Sequence, residues 1–359
     1  MTALAEALAA IPEDLRAVLR SSHFDEARLV AMSQRIGAAG PEGNRVRGLV
    51  EPPAPGDVLD VDGAHAEAGR AMIARGEVAF CVLAGGMATR MGGVVKALVE
   101  VLPGMTFLDY RLREAELTGT GALWLMTSWA TNAALTAAIG SRPATCFGQD
   151  VSLRLTPEGG LFLDEHGRPS PYAPGHGDLP DALVRSGLLD AFLARGGKTV
   201  WIANIDNLGA NVDPAVLGAH LAHGAPVSVE VVDKVGADKG GIPARLDGRP
   251  QILEEFRLPT SFDASTVRTF NTNTFLVDAR ALRDLSMAWT YFEVRKKVGG
   301  AEVVQFERLL GELTASLSTR FLRVPREGAQ TRFLPVKDGA ELEARRKEID
   351  LVAHARGVL

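Results

Sequence analysis

The sequence is poor in cysteine, in long apolar runs and in excess basic charge. It has two cysteines in 359 residues, Cys81 and Cys146, which is too few for a disulfide framework and matches no zinc-binding spacing. No run reaches the ~18 apolar residues of a membrane span, and Glu6 and Glu13 interrupt the apolar core that a secretory signal requires. The net charge of −5 gives no reason to expect nucleic acid or an anionic membrane as a partner. We therefore expect a cytoplasmic protein in which Cys81 is buried in a strand.

The chain is long enough for one main domain with smaller appendages. Residues 1–75 combine helical spacing with the linker "EPPAPGDVLD", residues 76–337 form the main domain, and residues 338–359 form a charged amphipathic helix. In the main domain, short β-rich runs alternate with helical ones, which predicts an α/β fold with a mostly parallel sheet. The runs are "VAFCVL", "GALWLMTS", "KTVWIAN", "APVSVEVV", "TFNTNTFLVD" and "TRFLPV", and "DGRPQILEEFRLP" reads as an insertion over the sheet.

A glycine-rich loop, "VLAGGMATRMGGVVKAL", follows the first of these strands. In open α/β sheets such a loop presents backbone amides to an anion, and Arg90 and Lys96 add positive charge. The spacing fits neither the Rossmann fingerprint nor the P-loop, because Gly85 and Gly86 are adjacent and no lysine follows Gly93 directly. Phosphate binding is favoured, and a tight structural turn is the alternative.

Polar residues end another buried strand, in "WIANIDNLGANVD". A carboxylate there suits Mg²⁺, which takes few protein ligands and completes its shell with water and phosphates, so Asp206 is the metal candidate. The alternative makes Asp206 the N-cap of the next helix. His176 lies between two glycines in "PGHGD", and a lone loop histidine of this kind is either functional or incidental.

Ordered motifs across the chain resemble those of the UDP-glucose pyrophosphorylase family of eukaryotic type. They are "TFLDYRLREAE", "LMTSWATN", "FGQ", "YAPGHGDLPDALVRSGLLD", "ANIDNLGANVD", "DKGG", "ILEEFRLP", "FNTN" and "TRFLPVK". The resemblance implies a Rossmann-like, GT-A-like three-layer nucleotidyltransferase fold over 76–337. It also implies Mg²⁺-dependent joining of a nucleoside triphosphate and a sugar 1-phosphate into a nucleotide sugar and pyrophosphate. Because relatives continue into a C-terminal β-helix domain used in assembly, we expect a shortened form that is a monomer or small homo-oligomer.

The resemblance also implies roles for individual residues. The catalytic cations would be Arg90, Lys96 and Lys337, with Asp206 placing Mg²⁺. The nucleotide would be bound at Leu83, Ala84, Gly85, Gly86, Gln149, Gly175 and His176. The sugar phosphate would be bound at Asn204, Lys239, Gly241, Glu254, Asn271 and Asn273. Some of these residues have alternative interpretations. Lys239 and Lys337 could be solvated surface lysines, Gly241 could form a turn, and Asn271 could contact the metal instead of the sugar. Glu254 is preferred over Glu255 because a strand would place the two side chains on opposite faces.

The glycine-rich loop departs from the family pattern, since Ala88 replaces a glycine and Val95 replaces the proline before the lysine. In this stretch it is also similar to the molybdenum-cofactor guanylyltransferases, which use GTP. The first hypothesis is therefore a uridylyltransferase that makes UDP-glucose from UTP and glucose 1-phosphate. The alternative couples GTP, or another nucleoside triphosphate, to a different sugar or cyclitol 1-phosphate.

Overall fold

The computed structural model describes residues 3–38, 42–88, 93–236, 238 and 240–359. In these residues the helices are α1 (Ala3–Ala9), α2 (Glu13–Ser21), α3 (Glu26–Ser33), α4 (Ala66–Ala74), α5 (Phe107–Thr118), α6 (Asn132–Ile139), α7 (Leu179–Arg185), α8 (Leu188–Ala194), α9 (Pro214–His223), α10 (Ala279–Arg283), α11 (Leu313–Ser316) and α12 (Gly339–Ala355). The strands are β1 (Val50–Glu51), β2 (Val58–Asp60), β3 (Val78–Leu83), β4 (Met87–Ala88), β5 (Val94–Val95), β6 (Glu100–Leu102), β7 (Met105–Thr106), β8 (Ala122–Thr127), β9 (Thr145–Gly148), β10 (Ser152–Leu153), β11 (Pro171–Tyr172), β12 (Thr199–Asn204), β13 (Val227–Asp233), β14 (Ile242–Leu246), β15 (Arg249–Leu253), β16 (Thr269–Asp278), β17 (Phe292–Val298), β18 (Ala301–Glu307) and β19 (Thr319–Arg323).

A central eight-stranded sheet has the order β2-β19-β13-β16-β12-β3-β8-β9. β16 runs antiparallel to both of its neighbours, and the other neighbouring pairs are parallel. The predicted α/β fold with a mostly parallel mixed sheet is thus confirmed. Every residue of β3 is buried, as expected for a strand covered on both faces, and Cys81 is one of them.

Helices cover both faces of this sheet, which gives three layers. On one face the apolar core takes Met72, Leu108, Leu135, Val216 and Ile349, which come from α4, α5, α6, α9 and α12. On the other face it takes Leu183, Phe192, Leu282 and Leu313, from α7, α8, α10 and α11. None of the helices in the described residues is both long and apolar enough to cross a membrane.

The segment 1–75 contacts the main domain in several places. α1, α2 and α3 bury their leucines in a separate core that also contains residues of β10 and β18. Within the linker, β1 pairs with β14 and β2 pairs with β19 at the edge of the central sheet. The structure therefore gives this segment strands as well as helices, and its boundary at residue 75 stays a prediction.

Five of the six predicted runs form strands, namely β3, β8, β12, β13 and β16. The sixth prediction, a strand at "TRFLPV" over 331–336, is wrong. This segment is irregular, and a single backbone bridge links Pro335 to Asn207. Its backbone instead bonds the loop after β12, because Leu208 N donates to Leu334 O at 3.0 Å and Val336 N donates to Asp206 O at 2.9 Å. The sheet position is taken by β19, which was not among the six predicted runs.

Candidate active site

The strand order reverses between β3 and β12, which lie side by side. From β3 the chain continues to β8 and β9 on one side, and it later returns to β12 on the other. In open α/β sheets, ligands bind beyond the carboxyl ends of the strands at such a point. A cavity of about 370 Å³ opens there, lined by Leu83, Gly85, Gly86, Met87, Lys96, Met126, Gln149, Ala173, Gly175, His176, Asn204, Ile205 and Asp206.

An ion pair crosses this cavity from one loop to the other. Lys96 follows β5, and its Nζ lies 2.5 Å from Oδ2 of Asp206, in the loop after β12. The two side chains are 13% and 21% exposed, so both remain accessible from the cavity. Asp206 is not the N-cap of the next helix. That cap is Asp213, whose Oδ1 accepts from the amides of Ala215 and Val216.

Two hydroxyl groups donate hydrogen bonds to backbone carbonyls of the glycine-rich loop. Ser128 Oγ donates to Gly85 O at 2.8 Å, and Thr131 Oγ1 donates to Ala84 O at 3.2 Å. Gln149 packs against the same loop so closely that a Cβ atom on Gly85 would lie 2.3 Å from its Nε2. Ser128 and Thr131 were not among the predicted site residues, although the motif "LMTSWATN" contains both.

His176 is held as a neutral hydrogen-bond donor. Its Nδ1 accepts from the backbone amide of Leu310 at 2.9 Å, which places the proton of the neutral ring on Nε2. Burial lowers the pKa of His176 to about 4, so the ring carries no charge near neutral pH. The preceding Gly175 has φ +100°, and a Cβ there would lie 2.6 Å from Arg308 O; glycine is therefore required for this approach.

A buried network of charges supports the His176 turn. Arg308 Nε donates to Asp178 Oδ1 at 2.7 Å, and its Nη1 donates to Asp181 Oδ2 at 2.6 Å. Asp178 is fully buried, and this burial raises its pKa to about 6, against the opposing effect of Arg308. Arg308 was not among the predicted site residues, because it lies outside the motifs.

Four of the predicted sugar-phosphate residues are joined by hydrogen bonds, namely Asn204, Gly241, Asn271 and Asn273. Asn273 Nδ2 donates to Asn204 Oδ1 at 2.9 Å, and Asn273 N donates to Asn271 Oδ1 at 2.8 Å. Asn273 has φ +58°, a left-handed conformation that asparagine tolerates. The pairing of β16 with β13 shifts register here, so a β-bulge redirects these side chains, as bulges commonly do beside functional sites.

Gly241 and Glu254 extend this group. Asn271 N donates to Gly241 O at 2.8 Å, and a Cβ atom on Gly241 would lie 2.7 Å from Glu254 Oε1. Burial raises the pKa of the Glu254 carboxyl above its usual range. The strand argument for choosing it over Glu255 does not apply, because β15 ends at Leu253. Glu255 is exposed in the turn that follows.

Of three further predicted cations, two lie outside the described residues and one does not line the cavity. Arg90 and Lys239 lie outside the described residues. Lys337 is exposed, its backbone amide donates to Glu341 Oε2 at 2.7 Å, and its side chain is not among the described residues that line the cavity. The assigned role of Lys337 stays a prediction.

The donor set at the cavity fits Mg²⁺ better than zinc. Among the described residues no three histidine, cysteine or carboxylate side chains form a metal cluster. Asp206 offers a single accessible carboxylate, and Mg²⁺ commonly binds through one or two carboxylates together with substrate phosphates.

Comparisons with known proteins place the chain in a family. The family model described as UTP–glucose-1-phosphate uridylyltransferase matches residues 42–352. The protein of that name from Astragalus penduliflorus is 32% identical over 285 residues, which cover 72% of this chain and 60% of the relative. A probable enzyme of the same name from Schizosaccharomyces pombe is 29% identical over 338 residues, 86% of this chain and 66% of the relative.

Solved structures support the same fold. A UDP-glucose phosphorylase from Trypanosoma brucei aligns with a TM-score of 0.72 and 22% identity, over 96% of this chain and 78% of that one. A UDP-glucose pyrophosphorylase variant from Leishmania major, in complex with UDP-glucose, aligns with a TM-score of 0.69 and 22% identity, over 95% and 78%. This chain spans about three fifths of the length of the Astragalus relative. Its matched region, motifs and sheet order make it a member of the UTP–glucose-1-phosphate uridylyltransferase family.

Proposed function

We propose that this protein is a sugar-1-phosphate nucleotidyltransferase that converts UTP and glucose 1-phosphate into UDP-glucose and pyrophosphate. The observation that carries the proposal is the Lys96–Asp206 pair at the β3/β12 reversal, facing a cavity bordered by the glycine-rich loop and Gln149. A cation and a carboxylate facing each other suit a triphosphate and its metal ion. The names of the family members support UTP and glucose 1-phosphate as the substrates.

The reaction forms one bond and breaks one. A phosphate oxygen of the sugar phosphate attacks the α-phosphorus of UTP, the bond from that phosphorus to the bridging oxygen breaks, and pyrophosphate leaves. No covalent nucleophile on the protein is required, so catalysis depends on positioning and on neutralising charge.

Five of the cavity residues have a role in this step. The backbone at Gly85 and Gly86 approaches the phosphates closely, and Lys96 neutralises charge on them once it is released from Asp206. Neutral His176 donates a hydrogen bond from Nε2 to a phosphate oxygen. Asp206 would hold Mg²⁺, which when bound supplies charge neutralisation on the phosphates.

The experiment is a pyrophosphate-release assay with each nucleoside triphosphate against a panel of sugar and cyclitol 1-phosphates. We expect turnover with UTP and glucose 1-phosphate. Turnover with GTP but not UTP would reject this proposal in favour of the alternative substrates that the glycine-rich loop suggests.

The Asp206 assignment is tested by D206N at saturating Mg²⁺. Losing one charge-stabilising group is expected to lower kcat on the order of 10²-fold. The matched control is D213N, the same change at the N-cap of α9, where asparagine caps as well as aspartate and kcat should be unchanged. An unchanged kcat in D206N would show that Asp206 does not serve the chemistry.

A further inference from the structure

The loop that carries Asp206 is hydrogen-bonded by two arginines, neither of which lines the cavity. Arg111, on α5, donates to Ala210 O at 2.5 Å, to Asn204 O at 3.4 Å and to Asn207 O. These are backbone carbonyls on both sides of Asp206. The carbonyl groups at the end of β12 and in the following loop are thus bonded by one guanidinium group.

Arg356, just after α12, bonds the remaining part of this loop. It donates to Leu208 O at 2.9 Å and to Gly209 O at 2.7 Å. A third bond, to Thr331 O at 3.0 Å, connects the loop to the segment that also bonds Asp206 O through Val336 N. The end of the chain is therefore linked to the backbone beside the proposed metal ligand.

Glu114 joins the two arginines. Its Oε2 lies 2.6 Å from Arg111 Nη1, and its Oε1 lies 2.9 Å from Arg356 Nη1. The side chains of Arg111 and Glu114 are 0% and 3% exposed, and that of Arg356 is 10% exposed. One carboxylate thus pairs with two guanidinium groups that belong to different parts of the chain.

Stability alone does not explain such a buried network of ion pairs. Burying charges carries a desolvation penalty that apolar side chains of similar volume avoid. Arg111 Nε also has no hydrogen-bond partner among the described residues. Five of the six backbone carbonyl groups that the two arginine side chains bond, by contrast, lie at residues 204–210, from the end of β12 into the following loop. This indicates a role in fixing the conformation of that loop.

We propose that Arg111, Glu114 and Arg356 form a positioning clamp that sets the orientation of Asp206 toward the cavity. None of the three lines the cavity, so they act through the backbone and not on the substrates. Asp206 Oδ2 faces Lys96 while the carbonyls beside it face the clamp. The inference rests on the proposed function for the catalytic consequence, and on the contacts alone for the effect on the loop.

The test uses the full chain with R356A, R356K and the control R346A. Arg346 lies on α12, is about half exposed and pairs with Glu343 on the same helix, so its removal takes away an arginine and an ion pair without touching the loop. A mutation far from the reacting atoms can displace a reacting group slightly, and this displacement can lower the reaction rate by about 10²-fold. We expect R356A to lower kcat about tenfold or more with the KM for UTP within about twofold, because the clamp does not contact the nucleotide.

Two readouts are independent of turnover. Mn²⁺ binding, followed by electron paramagnetic resonance with Mn²⁺ alone, should weaken at least about fivefold in R356A if Asp206 is misplaced. Hydrogen exchange of the peptide covering 203–213 should be faster in R356A than in R346A. R356K keeps the charge but not the planar fork, so its values should fall between those of the wild type and R356A.

The outcomes separate the clamp from the proposed function. If the wild type shows no turnover with UTP and glucose 1-phosphate, the proposed function fails, while Mn²⁺ affinity and hydrogen exchange still test the clamp. If R356A matches R346A in Mn²⁺ affinity, hydrogen exchange and kcat, the clamp is overturned. If R356A does not fold, R356K is the deciding variant. Wild-type values of Mn²⁺ affinity, hydrogen exchange and kcat in R356K would overturn the clamp. A fall in its Mn²⁺ affinity with an unchanged melting temperature would support the clamp.

Discussion

At the residue scale, the contact between Gly85 and Gln149 defines one side of the cavity. Gln149 is 5% exposed, and a Cβ atom on Gly85 would lie 2.3 Å from its Nε2, the mobile end of a flexible side chain. We therefore expect G85A to fold but to displace the Gln149 amide. If this amide meets the nucleotide, the KM for UTP should rise about tenfold, the effect of losing one or two hydrogen bonds, as measured in the pyrophosphate assay.

The matched control is G148A, next to Gln149 in sequence. A Cβ atom there meets nothing within 4 Å, so this glycine-to-alanine change should leave the KM for UTP unchanged. Equal KM values in G85A and the wild type would remove Gln149 from the nucleotide site.

Residue types and spacing were sufficient to select Lys96 and Asp206. They left the role of His176 open, and Gln149 was assigned only through the family resemblance. The structure brings all four residues to one cavity. The sequence could not reveal Ser128 or Arg111, because a hydroxyl or a guanidinium that bonds distant backbone carbonyls leaves no local pattern. In both cases the partner is a carbonyl group far along the chain.

At the element scale, α4 and α9 cross at two glycines. A Cβ atom on Gly69 would lie 2.0 Å from Pro214 O, and one on Gly218 would lie 2.0 Å from His65 O. Both oxygens are backbone atoms at the start of the partner helix, so neither can move without a shift of that helix. We expect G69A and G218A each to lower the free energy of unfolding by roughly 1–3 kcal/mol, measured by urea denaturation.

The double variant G69A/G218A gives a sharper test of this crossing. Either alanine pushes the same two helices apart, so the double variant should lose less than the sum of the single losses. G339A, at the start of α12, is the control because a Cβ atom there meets nothing within 4 Å. Alanine should be neutral or stabilising by up to about 1 kcal/mol at such a helical position; strictly additive losses at the crossing would contradict the close packing.

Elements with strong local patterns could be predicted, and those defined by distant partners could not. The alternation of apolar runs and helices correctly gave β3, β8, β12, β13 and β16. "TRFLPV" begins with the same four residues as β19, TRFL, yet its backbone is paired with the loop after β12. The segment 319–323 forms the strand instead because it lies between β13 and β2, and this placement depends on the tertiary structure and not on propensity.

At the scale of the whole molecule, the position of the site follows from topology. The general rule that ligands bind where the strand order reverses selects the edge between β3 and β12, and both motifs singled out from sequence follow these strands. The strand β16 was predicted, but its antiparallel direction could not be, because an apolar run has no direction until it pairs. β16 also supplies Asn271 and Asn273, so this part of the site was assigned only through the family resemblance.

The stability of the whole molecule should fall on mild acidification, partly through His220. This residue is 5% exposed, its Nδ1 shares a hydrogen bond of 2.7 Å with Ser228 Oγ, and burial lowers its pKa from 6.5 to about 3. Between these two pH values the unfolded chain binds a proton that the folded chain does not, so the free energy of unfolding decreases as the pH falls. From pH 7 to pH 5 this one group should remove about 2 kcal/mol.

Other groups titrate in the same range, and some act in the opposite direction. Asp178, with its pKa raised to about 6, binds a proton more readily in the folded state and so favours folding as the pH falls toward 4. The comparison of the wild type with H220N cancels these contributions, because asparagine does not titrate and can still bond Ser228. In urea denaturation at pH 7, 6 and 5, the stability advantage of the wild type should shrink by about 2 kcal/mol. A constant difference across these pH values would mean that His220 is not held neutral in the folded protein.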